Sequence, residues 1–343
     1  MSDLLGRLKN GEILICDGAG GTELQKKGLK PGECPEGWNV IHPEVVQEIH
    51  RSYLEADCNI ILTNTFGGNR LKLRTCGRED KVKEFNLAGA KNAHNAVEMF
   101  RRTTHPPHSG RDLAPMSIGV GDARCTTIYI LGDIGPTGQI MESSGGILTF
   151  EEAIDVFQKQ IEFLFGGVIK GYVSGIIFET FEDIEEIKAG IMAAKNIQRA
   201  ANIVFPIIAS MTFHPGVRGF RTIMGTNVET AVKELEKAGA DIIGTNCGNG
   251  PEAVVEIIKE MRQHTSLPLL AEPNAGVPIL KDGKTFFLLG PEDFVKYIPQ
   301  LIESGANIIG GCCGTTSQHI KKIAEIVHSA SIISQNSKFK SQI

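Results

Sequence analysis

The chain has 343 residues, 41% of them hydrophobic and 22% charged, with a formal net charge of −5; it can bury a large core and has no general attraction for nucleic acid or an anionic membrane. No apolar stretch reaches the roughly 18 residues of a membrane span, and the opening Met1-Ser2-Asp3-Leu4-Leu5-Gly6-Arg7 has no signal-peptide hydrophobic region, so a cytoplasmic protein is expected. Eight cysteines in such a chain point to reduced thiols or metal ligands rather than a disulfide framework.

Along the chain, short β-rich runs alternate with amphipathic stretches long enough for helices. The first strand is expected over 13–16, followed by Asp17-Gly18-Ala19-Gly20-Gly21-Thr22 and a helix over 43–57. A second strand over 59–64 precedes a helix over 81–101, and the Pro-, Gly- and His-rich stretch 103–122 reads as a long surface loop. Strands at 127–133, 175–179, 204–211, 241–246, 267–272 and 307–310 alternate with helices at 150–170, 184–201, 227–238, 251–264, 291–304 and 316–330. Eight strand and helix pairs predict an α/β protein, a (β/α)8 TIM barrel in a single domain over 1–330, with 331–343 as a polar, frayed tail.

Each predicted strand runs into a polar or glycine-bearing loop, and in a barrel all such loops lie at the C-terminal face, where barrel enzymes build their sites. Three cysteines fall there: Cys247 in Gly244-Thr245-Asn246-Cys247-Gly248, and Cys312 and Cys313 in Gly310-Gly311-Cys312-Cys313-Gly314. A lone cysteine is usually a small buried hydrophobe. A vicinal pair with a third thiol at the same face instead suits a zinc site with an open fourth position, provided that the flanking glycines bend the chain so that both neighbours face one point. Cys16, Cys34, Cys58, Cys76 and Cys125 have no such arrangement and read as core or surface thiols. Thr315 or Thr316 is expected to cap the last helix, and Thr315 with Gln318 has capping-box spacing.

The motifs Asp17-Gly-Ala-Gly-Gly-Thr22, Thr63-Asn-Thr-Phe66, Phe178-Glu-Thr180, Gly244-Thr-Asn-Cys247, Glu272-Pro-Asn-Ala-Gly276 and Gly310-Gly-Cys-Cys-Gly-Thr-Thr316 resemble, in this order, the homocysteine S-methyltransferase family, over roughly residues 11–326. Within it, Asp133-Ile-Gly-Pro-Thr-Gly138, Asn246-Cys-Gly-Asn-Gly-Pro251 and Glu272-Pro-Asn-Ala-Gly276 look most like the N-terminal homocysteine-binding barrel of cobalamin-dependent methionine synthase.

The resemblance implies Zn²⁺ held by Cys247, Cys312 and Cys313, with the sulfur of L-homocysteine as fourth ligand and Asn274 in that place in the free enzyme. It further implies that Asp17 and Glu179 hold the substrate amino group, that Asn64 belongs to the substrate site, and that the Gly20-Gly21-Thr22 turn presents N–H groups to the carboxylate. Exposed amides in such a turn have an independent affinity for anions. Asp17 could instead cap its turn, and Asn64 and Asn274 could simply tie down loops.

The expected reaction is zinc-dependent methyl transfer giving methionine. Its donor is expected to be a methylcorrinoid protein, or methyltetrahydrofolate acting through cobalamin carried by a separate protein or by missing C-terminal domains. S-methylmethionine or a betaine is the alternative donor. Readings from other classes are a zinc hydrolase, disfavoured because the nine histidines form no His-Glu-x-x-His motif, and a structural-zinc thiol-binding protein.

Overall fold

The computed structural model describes residues 4–104, 127–165, 171–281 and 284–340. Among the described residues, twelve strands run in chain order as β1 Leu14–Ile15, β2 Ile60–Leu62, β3 Tyr129–Ile134, β4 Gly175–Phe181, β5 Ile207–Met211, β6 His214–Gly216, β7 Gly219–Arg221, β8 Ile242–Asn246, β9 Leu269–Glu272, β10 Ile279–Lys281, β11 Lys284–Phe286 and β12 Ala306–Ile309. Eight form one parallel sheet in the order β1-β12-β9-β8-β5-β4-β3-β2. A bridge between Cys16 and Ile60 brings its two ends together, with Asn59 N donating to Ile15 O at 2.7 Å and Asp17 N to Ile60 O at 2.9 Å. The result is the expected (β/α)8 barrel, and all eight predicted barrel strands are present.

Alternation along each strand sorts the core into two layers. Leu14, Ile60, Leu131, Ile177, Ile208, Ile242, Leu270 and Ile308 fill the barrel, joined by Leu4 and Leu8 of the N-terminal helix Leu4–Lys9. Their outward neighbours, including Ile61, Ile130, Ile176, Ile207, Ile243 and Ile309, pack against the surrounding helices. Each such side chain, removed fully from water, contributes about 2 kcal/mol. Filling the barrel from below with mostly aliphatic side chains leaves its open, polar end at the strand C-termini, where the site is built.

Local signals set the helix ends. Thr149 and Glu152 form a capping box at the helix Phe150–Leu164, Asp183 caps Ile184–Ala201, and Asn227 caps Val228–Ala238. The predicted helix over 291–304 is broken into Pro291–Phe294, a 3-10 turn Val295–Tyr297 and Ile298–Glu303, where Pro299 has no N–H to continue the ladder. The last helix runs Ser317–Lys340, into the stretch from 331 that was expected to be a polar tail, with no Gly or Pro to stop it. Of the predicted 103–122 loop, Thr103 and Thr104 end the helix Val82–Thr104, and 105–122 lie outside the described residues. Two hairpins, β6–β7 and β10–β11, rise from the loops after β5 and β9. Among the described residues, no helix is long and apolar enough to cross a membrane.

Candidate metal centre

The chain leaves β8 through Cys247, whose φ of +60° is followed by +69° at Gly248, so the strand direction breaks where the thiol is needed. Backbone bonds then stitch three loops together. Cys247 N donates to Glu272 O at 3.2 Å, Cys312 N to Pro273 O at 2.9 Å, and Ala275 N to Cys313 O at 2.9 Å. Glycine is required on both sides of the vicinal pair. A Cβ at Gly311 would stand 2.6 Å from the Thr315 side chain, and one at Gly314, where φ is +81°, would strike the Phe287 ring.

As a result the sulfurs of Cys247, Cys312 and Cys313 lie within 4.8 Å of one another, with 4.0 Å between Cys247 and Cys313. Cys247 is held as the thiolate, its pKa lowered to about 3 by the thiols of Cys312 and Cys313 that donate to it. The same contacts push Cys312 well up and Cys313 to about 12. Three sulfurs thus share one negative charge, and a divalent cation would displace the remaining two protons.

Asn274 is 2% exposed, its amide helps to hold Cys247 as thiolate, and its Oδ1 has no hydrogen-bond partner. A buried amide oxygen left unpaired beside three sulfurs has the donor chemistry of a fourth ligand, so the residues present fit zinc.

Beside the cysteines opens a cavity of about 300 Å³ whose wall includes Asp17, Gly20, Gly21, Thr22, Asn64 and Glu179. Six of the seven residues expected to bind substrate therefore share one cavity with the three thiols, while Asn274 contacts Cys247 and is not part of the wall. Asp17 is buried and its Oδ2 accepts from Leu62 N at 2.9 Å; burial, and then Glu179, raise its pKa well above the carboxylate range. Glu179 precedes Thr180, whose φ of +63° falls where the pairing of β4 with β5 slips register. Such a bulge re-aims a side chain. Glu179 Oε2 accepts from Asn246 Nδ2 at 3.2 Å, and burial with the nearby Cys247 brings its pKa up to about 8.

Gly20 is the N-cap of the helix Gly21–Lys26 with no side chain closing it, and Gly20, Gly21 and Thr22 all line the cavity. Asn64 is tied by its Nδ2 to Pro35 O at 2.8 Å and to Asn39 Oδ1 at 3.2 Å, the loop-fastening chemistry considered for it.

The Thr315 capping box does not form. Thr315 Oγ1 donates to Cys312 O at 2.7 Å and accepts from Ala19 N at 3.1 Å, locking the cysteine loop to the first strand loop. Thr316 instead precedes the last helix and meets His319 Nδ1 at 3.0 Å. Cys16 and Cys58 are buried, Cys34 and Cys76 half-buried, none with the metal-site group; Cys125 lies outside the described residues.

Three functional-looking residues were not singled out from the sequence: Asn246, Asp133 and Glu272. Asn246 and Glu272 end their strands and Asp133 is the last residue but one of β3; a polar residue near the close of an apolar run was the available signal.

A family model described as homocysteine S-methyltransferase matches residues 14–327. The methionine synthases of Mycobacterium leprae and Mycobacterium tuberculosis are each 27% identical over 333 residues, covering 95% of this chain and 25% of each relative. The chain thus spans about a quarter of the length of these curated relatives. The crystal structure of the homocysteine methyltransferase MmuM from Escherichia coli in its metallated form superposes with a TM-score of 0.71 at 21% identity, over 94% of this chain and 99% of that one. Its oxidized form gives 0.70 at 20%, over 95% and 99%.

Proposed function

The chain belongs to the homocysteine S-methyltransferase family, and from that premise we propose that it methylates the thiol of L-homocysteine, giving methionine, with zinc held by Cys247, Cys312 and Cys313. The observation that carries this reading is the convergence of three sulfurs within 4.8 Å at the wall of a cavity that also holds Asp17 and Glu179. Bound zinc would supply the Lewis acidity that keeps a substrate thiol deprotonated at neutral pH, where a free thiol is mostly protonated.

The chain's own groups do the rest. Asp17 and Glu179 hold the substrate ammonium, and the amides from Gly20 to Thr22 receive the carboxylate. Asn274, with its unpaired Oδ1, would be the residue to complete the metal's ligand set when substrate is absent. In the reaction the thiol proton is lost on binding, the S–CH3 bond forms, and the bond between methyl and donor breaks. The product thioether is neutral and a poor zinc ligand, which favours release.

The donor reading rests on the relatives. Similarity to methionine synthases about four times longer supports a methyl group delivered by a corrinoid, carried on a separate protein or domain that covers the barrel mouth. Val217 on the turn between β6 and β7, Ile223, Leu280 on β10 and Leu288 stand exposed on the loops at that face, as a docking partner would need. Methyl transfer tests the proposal: zinc-loaded protein with homocysteine and, in parallel, methylcobalamin, S-methylmethionine or betaine. Methionine formed from methylcobalamin and abolished by chelation supports it. No methionine with any donor, or turnover indifferent to zinc removal, contradicts it.

A further inference from the structure

Two carboxylates that line the cavity, Glu36 and Asp133, have no part in this assignment, and Glu36 is already engaged, accepting from Gly67 N at 2.6 Å and Cys34 Sγ at 3.2 Å. Asp133, near the end of β3, follows Leu131 on the inward face of the strand and lines the cavity with Asp17 and Glu179. Its backbone is fixed on both sides: its N–H donates to Thr63 Oγ1 at 3.0 Å, and Thr65 Oγ1 donates to its carbonyl at 2.8 Å. Thr63 and Thr65 in turn bond each other at 2.6 Å.

Of the carboxylate, Oδ1 is buried without a hydrogen-bond partner, in a residue only 6% exposed. Asp17 accepts from Leu62 N and from the Cys16 thiol, and Glu179 accepts from Asn246 Nδ2. Glu272 is also unpaired, but it lies beside Cys16 and Gly310, away from the cavity wall.

A buried carboxylate without a donor or cation is costly, and a fold keeps one chiefly where a ligand completes it. Among the described residues, no lysine or arginine lines this cavity. His50 does, but burial lowers its pKa to about 4 and so leaves it neutral. The missing cation must therefore arrive with the ligand.

We propose that Asp133 is a specificity-determining residue, a third carboxylate that recognises the ammonium group of an amino-acid thiol between Asp17 and Glu179. The inference rests on the homocysteine reading and sharpens it: the cavity selects thiols that carry an α-ammonium over those that do not. The acids are mutually repulsive when empty, since burial first and then Glu179, Asp17 and Glu272 raise the Asp133 pKa well above normal. An arriving ammonium relieves that repulsion, whereas a ligand without one adds to it.

The test compares homocysteine with 4-mercaptobutyrate, the same thiol acid lacking the amine, by calorimetric titration of the zinc-loaded wild type, Asp133→Asn and Asp133→Ser. Zinc content and melting temperature serve as folding controls, and the serine variant covers a failure of the asparagine variant to fold. Homocysteine should bind about tenfold or more weakly to the variants, while 4-mercaptobutyrate binds equally well or more tightly. If both ligands weaken by the same factor, or neither changes, Asp133 has no part in ammonium recognition. A wild type that binds neither thiol overturns the homocysteine reading itself, and one that binds both alike overturns ammonium selection with it.

Discussion

Asn246 joins the substrate side of the cavity to the metal side. Its Oδ1 accepts from Thr180 N at 2.9 Å and Ser210 Oγ at 2.8 Å. Its Nδ2 reaches Thr180 Oγ1 at 2.7 Å, Glu179 Oε2 at 3.2 Å and Cys312 Sγ at 3.8 Å. Replacement by alanine leaves several buried groups unpaired and should cost about 2–3 kcal/mol in chemical denaturation. Because the amide also orients a metal ligand, zinc affinity measured against a chromophoric chelator should fall about 10- to 100-fold. Lost stability with unchanged zinc affinity would show that the amide serves the fold alone. The buried acids give a second prediction. Asp17, Asp133 and Glu272 have pKa values raised by burial above unfolded values of 3.8 to 4.5, and that of Glu179 reaches about 8. Between those limits the folded state binds more protons than the unfolded one, so stability without ligand should fall as pH rises from about 4.5 to about 8. Melting temperatures across that range check the sign; a rise with pH would contradict it, and Asp133→Asn should flatten the slope. The cysteines were legible from sequence because glycine-flanked thiols at strand ends form a rare pattern. Asn246 and Asp133 were not, because their roles depend on which strand ends the closed barrel sets opposite each other.

At the scale of elements, the helix Ile184–Ala201 shows how local chemistry holds the strand carrying Glu179. Asp183 Oδ1 accepts from Glu185 N at 2.8 Å, and its Oδ2 takes a bond from Ser144 Oγ at 2.6 Å. Asp183→Ala should therefore lower stability by about 1–2 kcal/mol. About two turns further along, Gly190 lies against the Phe178 ring of β4, where an added Cβ would come within 2.6 Å of it. Gly190→Ala should destabilise by about 1–3 kcal/mol despite its better helix propensity. Denaturation of the two variants checks both values, and a stabilised Gly190→Ala would show that the ring can yield. The barrel strands were legible because each is an apolar run ended by a polar or glycine residue. The hairpins at 214–221 and 279–286 were not, since three-residue strands carry too little periodicity. The helix Leu4–Lys9 is similarly short, and only its packing under the barrel explains why it forms.

For the whole molecule, barrel closure is what turns separated sequence motifs into one site. The strands β8 and β12, which bring Cys247 and the Cys312–Cys313 pair, are separated in the sheet only by β9, whose following loop supplies Asn274. The three loops are cross-linked by backbone bonds, so the cysteines are positioned before any ligand arrives. That preorganisation predicts that Cys312→Ala loses most of its zinc while the barrel stays folded, because the core layers lie below the site. Zinc content and melting curves check it, and loss of folding with the metal would favour a structural role. The most direct test of the central claim is zinc content combined with zinc-edge X-ray absorption, with and without homocysteine and with Cys312→Ala as control. A thiol-activating site predicts about one zinc per chain, with three sulfurs and one lighter ligand becoming four sulfurs on adding homocysteine; no zinc, or coordination unchanged by substrate, would contradict it.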